Sequence, residues 1–197
     1  MLAVTEVVLE EGIPAMNVIP LVILIGWAVF WIGWLVAAFG AKPGRMRWGR
    51  FAGVRVLLIL VALVLIRTKA FKGHAVTDDP WRQGVGLALF LLGLALAVWA
   101  RLYIGRNWGM PMTRKADPEL VTTGPYRSIR HPIYSGIILA TAGTAVAVSL
   151  DWLVLFVLFA LYFVYSAVTE ERDMAARFPD TYPAYKRSTK MLVPFVL

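Results

Sequence analysis

Four long runs of the chain contain no Asp, Glu, Lys or Arg, and this pattern constrains the fold more than any other feature. The runs cover Gly12–Ala41, Gln83–Ala100, His131–Leu150 and Trp152–Thr169. A helix of about 20 apolar residues crosses a hydrocarbon core of roughly 30 Å, because each residue adds about 1.5 Å. The runs are continuously apolar rather than alternating, so they indicate helices and not membrane-barrel strands.

The sequence therefore predicts an all-α polytopic membrane protein with about five transmembrane helices. The expected spans are Val18–Phe39, Phe51–Ile66, Gly84–Ala100, Pro132–Ser149 and Trp152–Thr169. The second span is the weakest prediction, since it is short and contains Arg55, a charge that must reach the interface or a partner. We expect the last two spans to form a helical hairpin, followed by a cytosolic C-terminal helical tail.

The distribution of Lys and Arg predicts the orientation of the chain. With five alternating spans, 15 basic residues lie on one face and four on the other. Positive loops favour the cytosol, so we expect the N-terminus outside and the C-terminus in the cytosol. The first 16 residues contain no basic residue, so we interpret Met1 as the mature N-terminus rather than the start of a signal peptide. The expected location is the plasma (inner) membrane of a bacterium or the endoplasmic reticulum of a eukaryote.

Composition excludes several classes of site. The chain has no cysteine and only two histidines, so disulfides, thiolate metal centres and a cysteine nucleophile are excluded and no metal is expected. The net charge of +8 fits loops that face anionic membrane lipids. No nucleic-acid-binding motif accompanies this charge, so nucleic acid is not expected as a partner.

Three polar side chains are predicted to meet at the cytosolic end of the hairpin. Pro132 suits the first position of a helix, which puts His131 at the start of the fourth span and Tyr134 one turn inside it. The fifth span is followed directly by Glu170 and Glu171, which places both at its cytosolic end. Two antiparallel arms of equal length bring their open ends level. We therefore expect His131 and Tyr134 near Glu170, although each also fits an ordinary role at a membrane boundary when taken singly.

Two segments carry a family resemblance. LVTTGPYRSIRHPIYSG, followed about forty residues later by EERDMAARFPDTYPAYKRSTKMLVP, resembles the isoprenylcysteine carboxyl methyltransferase and phospholipid methyltransferase superfamily. The members of this superfamily are integral-membrane enzymes that use S-adenosylmethionine. The resemblance covers about residues 103–194. It divides the single domain expected over 1–197 into an N-terminal three-helix part, 1–100, and a methyltransferase-like catalytic part, 101–197.

The resemblance implies roles for individual residues. The implied cofactor-binding residues are Leu120, Val121, Tyr126, His131, Pro132, Tyr134 and Glu170. The implied candidates for the chemical step are His131, Glu171 and Arg130. The implied substrate-binding residues are Ser166 and Arg127. Tyr182 and Tyr185 fit the pattern that follows, and they fit equally well as surface aromatics that pack the tail onto the membrane.

The implied activity is methyl transfer from S-adenosylmethionine to a lipophilic acceptor from the bilayer, with S-adenosylhomocysteine as product. Isoprenylcysteine carboxyl O-methylation is the first hypothesis, and N-methylation of a phospholipid or other lipid amine is the alternative. In the carboxyl branch of the family an arginine commonly precedes the first Glu by one turn, and here that position is Ser166. A carboxylate acceptor would then need a charge partner such as Arg127, Arg130 or Arg172.

An amine acceptor would instead need a general base, for which Glu171 and His131 are the candidates. An alternative hypothesis from a different functional class is that the protein is a non-enzymatic membrane transporter or interaction protein. A transporter predicts ionisable residues in the middle of spans, and the first and third spans have none.

Overall fold

The computed structural model describes residues 18–40, 44–46, 76–108, 113–115 and 119–193. The predicted second span, Phe51–Ile66 with Arg55, lies outside these residues. The described helices are α1 (Val18–Ala38), α2 (Pro80–Ile104), α3 (Pro132–Ala147), α4 (Leu153–Arg177) and the short α5 (Tyr182–Ser188). Two three-residue strands, β1 (Gly44–Met46) and β2 (Thr113–Lys115), pair in antiparallel register.

The described helices fit an all-α polytopic membrane protein. Within the described ranges, three helical segments are long and apolar enough to cross a membrane, namely Val18–Ala38, Pro80–Asn107 and Leu150–Arg177. The helix α3 is apolar but shorter. Many apolar side chains of α1 and α4 are exposed, as expected for surfaces that contact lipid rather than water. The predicted first, third, fourth and fifth spans thus correspond to α1, α2, α3 and α4.

Two boundaries differ from the sequence prediction for identifiable reasons. Helix α2 begins at Pro80, before the predicted Gly84, because the Asp79 side chain accepts a hydrogen bond from the Trp81 amide and caps the helix. Helix α4 continues to Arg177, past the predicted end at Thr169. The helix therefore extends beyond the predicted end of the fifth span.

Glycine and alanine bring α2 and α3 into very close antiparallel contact. A Cβ added to Gly136 would lie 2.5 Å from the Gly93 carbonyl oxygen and 2.9 Å from the Ala97 Cβ. Nearer the other end, a Cβ on Gly86 would collide with Ala147. Small residues of this kind allow backbones to approach within a membrane. This packing fixes α3, which carries His131 and Tyr134, against the rest of the bundle.

Helices α1 and α2 end on the same side of the molecule. The guanidinium of Arg101 donates to the carbonyls of Ala37 and Gly105, each at 2.7 Å, and lies 4.8 Å from the centre of the Trp108 ring. Helix α1 also contacts α3, since the Trp27 indole donates to the Thr144 hydroxyl at 3.1 Å. These contacts tie α1 to both helices of the close-packed pair.

Helices α3 and α4 form the predicted hairpin. A short 3₁₀ turn, Leu150–Trp152, joins them, and the Ser149 hydroxyl accepts a hydrogen bond from the Asp151 amide at the start of that turn. The first turn of α3 and the last part of α4 consequently lie at the same end of the molecule. The candidate site is built there.

Candidate active site

The segment before α3 delivers His131 to the open end of the hairpin. Gly124 adopts a positive φ of 58°, a conformation that glycine accepts at little cost, and begins a 3₁₀ turn over Gly124–Arg127. A Cβ at Gly124 would collide with the ring of Tyr103, so the turn also sits tightly against the end of α2. Pro132 then starts α3, and His131 occupies the position immediately before the helix.

The predicted meeting of His131 and Tyr134 with Glu170 is confirmed. The Tyr134 hydroxyl donates to Glu170 Oε1 at 2.6 Å. His131 Nδ1 lies 3.7 Å from Glu170 Oε2. The imidazole stacks on the Tyr134 ring with a centroid distance of 5.4 Å and an interplanar angle of 4°. The hairpin thus joins residues that are far apart in sequence into one polar cluster.

One atom of this cluster has an unused bonding capacity. His131 Nε2 is buried and has no hydrogen-bond partner among the residues that the structure describes. Its nearest acidic neighbour, Glu171 Oε1, is 3.7 Å away, which exceeds hydrogen-bond distance. A buried polar atom without a partner is costly, so this nitrogen is suited to receive a ligand.

Glu171 faces in a different direction from Glu170 and is 5% exposed. Its Oε1 accepts a hydrogen bond from Arg130 Nε at 2.6 Å, and its Oε2 lies 2.7 Å from Lys186 Nζ. Two cations from separate parts of the chain therefore compensate one buried carboxylate, which makes its burial tolerable.

The tail returns over this cluster. The Arg130 amide donates to the Lys190 carbonyl at 2.8 Å, and the His131 amide donates to the Met191 carbonyl at 3.1 Å. The Lys190 amide in turn donates to the Ser128 carbonyl at 3.0 Å. These bonds form a parallel bridge between the residues before α3 and the residues after α5.

Two tyrosines extend the cluster toward the tail. Tyr126 is buried, and its hydroxyl donates to the Ala100 carbonyl at 3.3 Å. The Tyr185 hydroxyl donates to the Tyr126 carbonyl at 2.7 Å. Burial raises the pKa of the Tyr126 phenol above its ordinary value, and burial likewise raises the pKa of Tyr185 to about 12. Both phenols therefore remain neutral donors at physiological pH.

The remaining predicted residues differ in their surroundings. Leu120 and Val121 are half-buried, Pro132 is fully buried, and Tyr182 is 3% exposed. The predicted substrate-binding residues do not meet. Ser166 is fully buried and its hydroxyl donates to the Tyr162 carbonyl of its own helix, whereas Arg127 is exposed.

Sequence reasoning missed two members of the cluster. Lys186 contacts Glu171, and the Thr189 carbonyl accepts a hydrogen bond from Arg130 Nη1. No spacing rule could have found them, because the tail reaches Glu171 through a turn at residues 178–181 rather than along one helix face. The only available signal was a pair of basic residues, Lys186 and Arg187, in the polar tail that follows the acidic pair Glu170 and Glu171.

Comparison with known proteins finds a family match over the part of the chain that contains most of this cluster. Residues 81–181 match the phospholipid methyltransferase family. The match begins at the start of α2 and ends just before α5, so it includes the whole helical hairpin and the acidic pair.

The names of individual relatives indicate different functions. The chain is 29% identical to a nickel-cobalt-cadmium resistance protein, NccN, of Alcaligenes xylosoxydans xylosoxydans over 71% of this chain and 62% of the relative. It is 28% identical to a methanethiol S-methyltransferase of a Pseudomonas species over 59% of this chain and 48% of the relative. It is 29% identical to protein-S-isoprenylcysteine O-methyltransferase B of Arabidopsis thaliana over 59% of this chain and 61% of the relative.

The chain thus spans about half to three fifths of the length of these curated relatives. Within the residues described by the structure, no group of three or more His, Asp or Glu side chains is arranged to hold a metal ion.

Proposed function

The chain belongs to the phospholipid methyltransferase family, and we propose on this premise that it is an integral-membrane methyltransferase. The proposed methyl donor is S-adenosylmethionine, and the proposed acceptor is a lipophilic molecule that arrives through the bilayer. The observation that carries the proposal is the contact of His131 and Tyr134 with Glu170 across the α3–α4 hairpin. This contact assembles a carboxylate, an imidazole and an aromatic face at one end of an apolar bundle.

The side chains of the cluster fit this donor. Glu170 is partly exposed, so one carboxylate at the mouth can accept hydrogen bonds from ribose hydroxyls or from an ammonium group. The unpartnered His131 Nε2 can bond a polar group of the ligand. Tyr126 and Tyr134 combine flat apolar faces with polar tips, which suits an adenosine group. Leu120, Val121 and Pro132 complete the proposed cofactor-binding set as its apolar border.

The bound cofactor would supply a methyl group on a positively charged sulfur. The chain's own contribution is to hold the acceptor atom in line with that group, and positioning of this kind lowers a barrier by several kcal/mol. An acceptor that carries a proton also needs a base. His131 is the favoured base, because its Nε2 has no hydrogen-bond partner among the described residues, whereas both oxygens of Glu171 face cations.

The acceptor is proposed to be a carboxylate in the manner of isoprenylcysteine, with a lipid amine as the alternative. A carboxylate needs no base but favours a nearby cation. Arg130 is beside the cluster, but its guanidinium contacts Glu171 and Thr189. Arg127 and Arg172 are exposed and remain proposed partners for an acceptor that approaches from the membrane surface.

Product chemistry distinguishes the two acceptors. The full-length protein in vesicles is incubated with methyl-labelled S-adenosylmethionine and a lipid extract from its source membrane. Base treatment releases the label as methanol from a methyl ester, and it leaves an N-methyl group in place. Label that enters no lipophilic product would refute the proposed activity.

A binding experiment tests the proposed site directly. Glu170→Ala should abolish cofactor binding measured by calorimetry, because it removes the carboxylate at the mouth. Asp180→Ala is the matched control, since Asp180 is an exposed carboxylate in the turn after α4. An unchanged dissociation constant for Glu170→Ala would reject this role. His131→Ala should bind less tightly and turn over far more slowly in a folded protein.

We also propose that the site faces the cytosol and that residues 1–197 form a single domain. The basic residues around α5 and before α3 favour the cytosolic side. The water-soluble donor would then enter from the cytosol, while the acceptor would diffuse within the membrane. A cysteine introduced in place of Arg187 should react with a membrane-impermeant reagent only when the reagent has access to the cytosolic face of the membrane.

A further inference from the structure

The second acidic residue of the site, Glu171, is more enclosed than a proton acceptor requires. Its side chain is 6% exposed, compared with 27% for the Glu170 side chain. Arg130 Nε and Lys186 Nζ face its two oxygens at 2.6 and 2.7 Å. A carboxylate flanked in this way has little capacity to accept another proton, because both cations favour its charged form.

The two cations, Arg130 and Lys186, come from the two parts of the chain that the parallel bridge holds together. Arg130 precedes α3, and Lys186 lies on α5. Arg130 Nη1 also donates to the carbonyls of Lys186 and Thr189. Glu171 on α4 therefore lies at the point where the segment before α3, the end of α4 and α5 meet.

The bridge reaches the candidate catalytic residue through its main chain. The His131 amide donates to the Met191 carbonyl, and the neighbouring Arg130 amide donates to Lys190. The Ser135 hydroxyl on the first turn of α3 donates to the Leu192 carbonyl. The position of the tail thus limits where the His131 imidazole can lie relative to Glu170.

We propose that Glu171 and Lys186 are positioning residues that anchor the tail segment, residues 182–193, and thereby hold His131 in place. Glu171 acts through Arg130 and Lys186 and takes no proton from the acceptor. The tail segment is consequently part of the active site, although the family match ends before it. This inference rests on the proposed methyl transfer, but its structural part can be tested without turnover.

Substitutions at Lys186 separate anchoring from general stability. Lys186→Met removes the cation and keeps most of the apolar stem, Lys186→Arg restores a cation, and Arg187→Met is the matched control on the same short helix. Arg187 is exposed, as Lys186 largely is. Because the Lys186 side chain is half exposed and Arg130 still compensates the buried Glu171 in the variant, Lys186→Met should change the melting temperature by less than about 3 °C.

The expected kinetic result is specific. Lys186→Met should lower kcat/KM by about tenfold or more, Lys186→Arg should recover it to within about twofold, and Arg187→Met should stay within about twofold of the wild type. Wild-type turnover in Lys186→Met, or a loss that Lys186→Arg fails to restore, would overturn the proposal.

A second pair of variants distinguishes an anchor from a base. Glu171→Gln keeps an oxygen that can accept from Arg130, so it should retain activity to within about tenfold and should be less than additive with Lys186→Met. A general base would instead cost about 10²–10⁴-fold whichever residue stands at 186. Loss of that size in Glu171→Gln, with the pH-dependent limb of the rate profile removed, would assign the proton to Glu171 and refute the anchor.

Hydrogen exchange provides a readout that does not depend on methyl transfer. Peptides that contain the Arg130, His131 and Lys190 amides should exchange faster in Lys186→Met than in the wild type, and Arg187→Met should leave them unchanged. If the wild type transfers no methyl group but this exchange difference appears, the proposed function fails and the anchor stands. Equal exchange in the wild type and Lys186→Met would reject the anchor.

Discussion

Replacing Gly136 with alanine should weaken the packing of α3 against α2, because the added methyl group meets backbone rather than a movable side chain. A Cβ at this position would lie 2.5 Å from the Gly93 carbonyl oxygen and 2.7 Å from the Ala97 amide nitrogen. Ordinary contacts between carbon and oxygen begin at about 3.3 Å. The two helices would therefore have to separate by roughly 0.8 Å.

The size of the effect follows from two opposing contributions. Overpacking a well-packed interface costs about 1–3 kcal/mol in the free energy of unfolding. Alanine in place of glycine within a helix returns about 1 kcal/mol. The net loss is therefore at most about 2 kcal/mol, and Gly136 should lie near this upper end because the added Cβ meets backbone atoms. A loss of about 2 kcal/mol lowers the melting temperature by about 4–8 °C for a chain of this length.

Thermal unfolding in detergent micelles, followed by circular dichroism, measures this change. Gly84→Ala is the matched control, because Gly84 lies on α2 and an added Cβ there would have no described atom outside its own helix turn within 4 Å. It should leave the melting temperature unchanged or raise it by up to about 4 °C. The reasoning is refuted if Gly136→Ala is as stable as the wild type, or if both variants lose stability equally.

Three further substitutions test other contacts. Tyr134→Phe removes the hydrogen bond to Glu170 but keeps the aromatic stacking, so the dissociation constant for S-adenosylmethionine should rise about tenfold, and a constant within twofold of the wild type would contradict this. Trp27→Phe removes the hydrogen bond to Thr144 and should cost about 0.5–1.5 kcal/mol in unfolding free energy; Thr144→Val added to it should cause no comparable further loss. Gly124→Ala should destabilise by more than about 1 kcal/mol in thermal unfolding, because its φ of 58° and a neighbouring tyrosine ring both exclude a side chain, and a melting temperature equal to that of Gly84→Ala would argue otherwise.

The hairpin explains why part of the site could be predicted. Two apolar runs of similar length, separated by little more than Asp151, have few ways to cross a membrane except antiparallel to each other. Pro132 then defines where α3 begins. Both signals are local, so the proximity of His131 and Tyr134 to Glu170 could be deduced without tertiary information.

The separate environments of the two acidic residues could not be deduced in this way. Glu170 and Glu171 are neighbours in sequence, and at about 100° per residue on a helix they point in different directions. One contacts Tyr134 and the mouth of the site, whereas the other is enclosed by Arg130 and Lys186. The residues that each carboxylate contacts depend on how α4 is rotated about its axis relative to α3. Hydrophobicity alone does not specify that rotation.

The helical, membrane-spanning character of the apolar runs followed from the amino-acid pattern, because each run must satisfy its own backbone hydrogen bonds as a helix in lipid. The contact of the tail with His131 required the folded chain, since the Arg130 and His131 amides pair with Lys190 and Met191 about sixty residues later. Such pairing depends on the turn after α4 and on a buried charge that two distant cations share. A segment that leaves the membrane loses the constraint of the bilayer, and only its contacts with the rest of the protein determine where it lies.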